Sequence, residues 1–377
     1  MKILMLNYEF PPIGGGGGQA HLALLRQYAG RGELEVDVLT SAAKRGISVE
    51  QFSGNVTIRR VGIHKKDLHL WRRSEVIEWL AKAGSQYRRM LKDKSYDLAH
   101  VFFGFPTGWL CHRNRHGPPY IVSLRGSDVP GANARLKLEY KILGPLVFKP
   151  IWRRAAALVA CSEGLKDRAL KFLPSAKIAV IPNGVDLERF SPARDDGGGE
   201  PLRLLTVGRL SATKRLTLLI DAIELLLRGG RVVHLTVVGG GALEPELRRL
   251  LGEKGLRDGV TLMGRREGDQ MPEIYRAHDV LVSASMQEGM SNAMLEAMAS
   301  GLPIVTTRCE GVDELVTDNG VIVDSADPAD LARAIETLAA DPDTRRAMSV
   351  AARKQAQRFT WHAVAERYIE LYRQTRA

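Results

Sequence analysis

The chain has 377 residues, is 45% apolar and 26% charged, and carries a net charge of +11. It is too long for one ordinary core and suits two domains of globular composition. No apolar run is long enough to span a bilayer, and three scattered cysteines (Cys111, Cys161, Cys309) form neither a disulfide framework nor a metal spacing.

The opening MKILMLNYEF meets acidic and aromatic residues too early for a secretory signal, and a reducing cytoplasm is the simplest compartment. Short apolar runs follow at 2–7, 36–40, 56–61, 98–102, 120–124, 157–161 and 178–182, with helical patterns between most of them. Such alternation predicts βα units and a mainly parallel sheet covered on both faces. FSPARDDGGGEP at 190–201 reads as a linker, and the alternation then restarts. Strands are predicted at 202–208, 232–241, 260–264, 279–285, 303–307 and 320–324, and a helix at 216–230. From about Pro328 the tail reads as consecutive helices with polar faces. Two α/β domains are therefore expected, with ligands beyond the carboxyl ends of the strands.

Three strand-to-helix turns carry chemistry. PPIGGGGGQAHL at 11–22 follows the first strand; glycines there let backbone amides approach an anionic oxygen at a helix start, although a merely flexible loop is the plainer alternative. GRLSATKRL at 208–216 places Arg209 and Lys214 after a strand, where two fixed cations can neutralise a diphosphate leaving group. SMQEGMSNAMLEAMASGL at 285–302 predicts a helix capped by Ser291 and stopped by Gly301, with Ala293, Met294, Ala297 and Met298 as its apolar face. Glu288 precedes that helix and Glu296 lies inside it. A capping carboxylate plus a surface glutamate is the bland reading of either one alone.

The combined pattern resembles the family 4 retaining glycosyltransferases. The 285–307 stretch is similar to their E-x7-E region, FPPIGGGGG to their amino-terminal glycine loop, VIPNGVDLERF at 180–190 to their hinge, and VGRLSATKRL to their phosphate turn. VVGGG followed by Glu246, and LMGR at 262–265, stand where the family has nucleotide-contacting loops. The resemblance implies a GT-B fold: two Rossmann-like domains facing across a cleft. Residues 1–185 would hold the acceptor and 186–359 the donor, with a C-terminal helix at about 360–377 returning to the first domain.

It also implies roles. Glu288 would bind donor-sugar hydroxyls, Glu296 the ribose hydroxyls, and Arg209 and Lys214 the diphosphate beside Gly208 and Gly240. Amides of Gly289, Met290 and Ser291 would assist, Gly264 and Arg265 would touch the base, and Gly16 and Gly17 are the choices within the glycine run. The implied reaction transfers a sugar with retention from a nucleotide diphosphate donor, UDP before GDP, with no cofactor and no metal. One departure stands out. SLRGSDVPG at 123–131 puts Arg125 where many relatives have histidine, while Gly126 and Asp128 remain. Arginine is no base near neutral pH, so Arg125 is expected to bind an anionic group and Asp128 to orient the acceptor hydroxyl.

The charge is uneven: residues 1–190 carry +14 and residues 191–377 carry −3. In 134–156, Arg135, Lys137, Lys141, Lys149, Arg153 and Arg154 mix with Leu143, Phe148, Ile151 and Trp152; HKKDLHLWRR at 64–73 adds Trp71. Such segments suit peripheral contact with anionic lipid on the inner face of a membrane, or an ordinary buried helix with snorkelling cations. The expected acceptor is a glycan or lipid-linked glycan of the cell envelope. Two rivals remain: a nucleotide-sugar epimerase of the same fold, and a non-enzymatic binder of anionic polymers. No nucleic-acid-binding signature supports the latter.

Overall fold

The computed structural model describes residues 1–131, 137–193, 199–266 and 268–376. They form two compact units, Met1–Asn183 with Trp361–Ala377, and Gly184–Thr360.

The first unit is built on β1 (Lys2–Asn7), β2 (Glu35–Ala42), β3 (Ile47–Ser53), β4 (Val56–Gly62), β5 (Leu98–Phe102), β6 (Tyr120–Leu124), β7 (Ala157–Ala160) and β8 (Ile178–Val180), ordered β3-β4-β2-β1-β5-β6-β7-β8. The central strands are mainly apolar because helices cover both faces, as parallel sheets require: Ile3 to Leu6 and Leu98 to Val101, with the one polar residue His100 among them, are fully buried. Only β3 runs antiparallel, against β4. It is absent from the predicted strands because ISVEQFS sits exposed at an edge and shows no buried face.

The second unit has β9 (Leu202–Val207), β10 (Val233–Val238), β11 (Val260–Gly264), β12 (Val280–Ser283), β13 (Ile304–Thr307) and β14 (Gly320–Val323), all parallel, in the order β11-β10-β9-β12-β13-β14. Renumbered within the unit this is 3-2-1-4-5-6, the doubly wound Rossmann order, whose switch point lies between β9 and β12. Its core joins Leu204, Val237 and Val282 of the sheet to Leu219 and Ile223 of the helix Leu216–Arg228 and to Leu331 and Ile335 of the helix Pro328–Ala340.

The helix Trp361–Arg376 belongs to the first unit. Its Tyr372 hydroxyl accepts from the Tyr28 hydroxyl at 2.9 Å and meets His100 Nδ1 at 2.7 Å; His100 Nε2 meets Ser123 Oγ at 2.8 Å, and Ser123 Oγ meets the Tyr368 hydroxyl at 2.8 Å. This buried chain satisfies polar groups that would otherwise be costly inside an apolar core.

Among the described residues no helix is long and apolar enough to cross a membrane. The basic segments fit the buried-helix alternative in part. Arg135 lies outside the described residues, as does the Lys137 side chain. Phe148, Ile151 and Trp152 are core residues rather than surface ones; among the described side chains here the exposed large apolar ones are Ile142, Leu143 and Leu146, the last 72% exposed. Trp71 is half-buried, with the Lys65 ammonium 4.1 Å above its ring.

Candidate active site

The second unit's switch point brings together the turn after β9 and the loop after β12. Lys214 ends the short 3-10 turn Ala212–Lys214, and its Nζ donates to Glu288 Oε1. Both side chains are largely buried. Arg209, on the same turn, is exposed. The two loops are stitched directly, the Met286 amide donating to the Thr213 carbonyl at 2.9 Å. Cys309, after β13, sits within the field of this pair; burial pushes its thiol up to about 12, Glu288 adding to the shift and Lys214 opposing it.

The glycines here work by close approach of main chains. A Cβ on Gly239 would lie 1.8 Å from the Gly208 carbonyl oxygen, so the loops after β9 and β10 touch backbone to backbone. Gly208 donates to the Val238 carbonyl at 2.9 Å, Leu210 to Gly240 at 3.1 Å, and Gly239 to Gly264 at 2.9 Å. The loops carrying Gly208, Gly240 and Gly264 are thus one hydrogen-bonded floor, with Arg265 exposed at its rim.

Glu296 lies in the helix Asn292–Ala299, which starts as expected: Ser291 Oγ accepts from the Met294 amide at 3.3 Å, and Gly301 stops it with φ +75°. Its apolar surface is broader than predicted, since Leu295 and Ala299 are also fully buried. Gly289 and Met290 lead into the cap. Glu296 Oε2 accepts from the Tyr275 hydroxyl at 2.9 Å. Burial pushes the Glu296 carboxyl up to about 7, against the Tyr275 hydrogen bond and Arg189, which lower it.

In the first unit, Arg125 Nη2 donates to Asn183 Oδ1 at 2.5 Å, and its guanidinium lies 5.5 Å from the Phe102 ring centre. Asp128 is buried. Its Oδ2 accepts from the Gly104 amide at 2.7 Å and its Oδ1 from the Arg125 amide at 2.8 Å. It therefore ties together the turns after β5 and β6, a structural task the sequence reading did not give it. A Cβ on Gly17 would meet the Phe103 ring at 2.6 Å, so its bareness serves packing, and Gly16 is exposed in the first turn of the helix Gly16–Tyr28.

A sequence profile described as Glycosyltransferase Family 4 matches residues 15–189, and one described as Glycosyl transferases group 1 matches residues 201–341. The D-inositol 3-phosphate glycosyltransferase of Saccharomonospora viridis is 30% identical over 75% of this chain and 71% of its own length. That of Nocardia farcinica is 29% identical over 98% and 89%. The chain belongs to glycosyltransferase family 4.

Solved structures give this family 4 chain the GT-B fold. A sucrose-phosphate synthase from Thermosynechococcus elongatus superposes with a TM-score of 0.85 at 24% identity, covering 99% of this chain and 98% of that one. Anabaena HepE, solved with UDP and glucose, gives 0.76 at 20% identity over 98% and 99%.

One residue of the loops around the switch point escaped the sequence reading. Arg215 is left-handed, at φ +45° and ψ +46°, where it starts the helix Leu216–Arg228. Its Nε donates to the Ala284 carbonyl at 2.7 Å and its Nη2 to Thr307 Oγ1 at 2.9 Å. It thus clamps the turn bearing Lys214 to the ends of β12 and β13. Its position beside Lys214 was visible; its backbone conformation was not, because arginine gives no signal for the left-handed region.

Proposed function

We propose that this glycosyltransferase moves a sugar, with retained anomeric configuration, from a nucleotide diphosphate donor to a glycan or lipid-linked acceptor in cell-envelope polysaccharide or glycolipid assembly. The observation that carries the reading is the Lys214–Glu288 pair at the switch point of the second unit's sheet, where open α/β sheets bind ligands. The second unit is the donor domain and the first the acceptor domain. UDP is the preferred nucleotide, supported by the likeness to HepE, which was solved with UDP and with UDP-glucose.

The chemistry follows from charge. As the glycosidic bond breaks, negative charge grows on the departing diphosphate. Lys214 and Arg209 answer it with fixed cations, and the amides of Gly289 to Ser291 answer it at the start of the Asn292–Ala299 helix. These groups make a divalent metal unnecessary. Glu288, released from Lys214 as phosphate takes over the ammonium, accepts from sugar hydroxyls; Glu296 accepts from the ribose. Arg125 meets an anionic portion of the acceptor. The exposed Ile142, Leu143 and Leu146, with Lys141 among them and Arg153 nearby, provide a place for peripheral contact with anionic lipid at the inner membrane face.

The test is a panel of UDP- and GDP-sugars, reading nucleotide release with and without lipid extract, followed by NMR of the product's anomeric centre. Acceptor-dependent release and retention are expected. Inversion at that centre would refute the retaining assignment, and release that ignores every acceptor would favour the epimerase-like reading. Sedimentation with anionic liposomes at low salt tests the membrane contact, and absence of binding removes it.

A further inference from the structure

Glu296 is half-buried, and its surroundings form a closed support. The Tyr275 ring is fully buried on the helix Met271–Arg276 and meets Phe190 edge-on, centroids 5.7 Å apart. Arg353, on the helix Pro342–Ala356, donates to the carbonyls of Phe190 at 2.8 Å, Leu187 at 3.0 Å and Ala299 at 2.5 Å. One guanidinium therefore joins the end of the Glu296 helix to the segment whose aromatic ring braces Tyr275. The phenol has little room to turn, and its hydroxyl spends its proton on Glu296 Oε2.

We propose that Tyr275 is the positioning residue for Glu296: it immobilises Oε2 and thereby presents Oε1 to the vicinal diol of the donor's ribose. The proposal rests on the reading of Glu296 as the ribose-holding carboxylate. A carboxylate with two free oxygens can swing about its last torsion, whereas one anchored through a braced phenol is preorganised for a second acceptor geometry. The ionised form is needed to accept from two hydroxyls. The elements around it carry Tyr275, Glu273 and Arg276 on one helix, Arg353 with Asp343, Arg345, Arg346 and Lys354 on another, and Arg189 with its 3.2 Å partner Asp269. Of these, Tyr275 and Arg189 favour ionisation, and burial opposes it.

The experiment compares UDP with 2′-deoxy-UDP by calorimetric titration between pH 5.5 and 8.5, in the wild-type protein and in Tyr275→Phe and Glu296→Ala. The wild-type protein should prefer UDP by roughly tenfold at pH 8, as expected for a hydroxyl read by a charged acceptor, and less below about pH 7. Tyr275→Phe should lose most of that preference and move the midpoint of the pH profile upward, while kcat at saturating donor stays within threefold. Replacing Tyr275 with 3-fluorotyrosine, a stronger donor in the same packing, should move the midpoint downward. Equal weakening of UDP and 2′-deoxy-UDP by Tyr275→Phe, or a midpoint unmoved by either replacement, would overturn the positioning role. If the wild-type protein itself ignores the 2′-hydroxyl and Glu296→Ala binds UDP normally, the ribose reading of Glu296 fails instead.

Discussion

Lys214 and Glu296 show two ways of holding charge in the second unit. Lys214 reaches its partner across the sheet's switch point, and its ammonium has donors to spare for phosphate. Lys214→Ala should lower kcat by about 10²–10³-fold, the usual cost of removing one preorganised donor to a developing anion, measured as nucleotide release at saturating donor. Glu296 is held at an electrostatic cost. Burial pushes its folded-state carboxyl up to about 7, from an ordinary value of 4.5, so the native state favours the protonated form below about pH 7. Its stabilising contribution is full below about pH 4.5 and is lost as pH rises through about 7. Glu296→Gln should therefore gain on the wild-type protein between pH 5 and pH 8, on the order of 1–2 kcal/mol after allowance for partial exposure. Calorimetric unfolding at the two pH values checks this, and a constant difference would contradict it. Both glutamates could be picked out in the sequence; their partners could not, since Tyr275 lies 21 residues from Glu296 and Lys214 lies 74 from Glu288.

The turn ending at Arg215 is where element-level structure governs the site. Its left-handed backbone is strained for a side chain with a Cβ, and the two hydrogen bonds to Ala284 and Thr307 hold it there. Arg215→Gly relieves the backbone but loses the clamp; Arg215→Ala loses the clamp and keeps the strain. Both should lower kcat, and the glycine variant should be the more stable by about 1 kcal/mol, read from thermal unfolding beside turnover. Elements were legible where their signals are local. Parallel strands such as 98–102 and 120–124 appear as runs of apolar residues because both faces are covered. The Asn292–Ala299 helix appears between a serine cap and a glycine stop. β3 gave no such signal, being exposed along most of its length, and the burial of Leu295 and Ala299 depends on which helices surround theirs.

At the scale of the molecule, the chain leaves the first unit after Asn183 and rejoins it at Trp361. The returning helix is fastened by Tyr368 and Tyr372 to His100 and Ser123 of the central strands β5 and β6. All five tryptophans, Trp71, Trp79, Trp109, Trp152 and Trp361, lie in the first unit, so their fluorescence reports its unfolding alone. Tyr372→Phe leaves Tyr28 and His100 short of a partner and should destabilise that unit by about 1–3 kcal/mol, seen as a lower urea midpoint by tryptophan fluorescence. An unchanged midpoint would show that apolar packing alone holds the returning helix.

Sequence by itself determined what short-range physics encodes: two runs of βα alternation, the cations after β9, and the cap and stop around Glu296. Each follows from periodicity or from residues within a few positions of one another. Tertiary structure decided the rest, because it depends on strand order. Placing β12 beside β9 makes the Lys214–Glu288 pair, and close contact of the β9 and β10 loops explains Gly239. Asp128 becomes a tie between two turns only once β5 lies beside β6. Hydrogen bonds between residues tens to hundreds of positions apart leave no local trace in the chain.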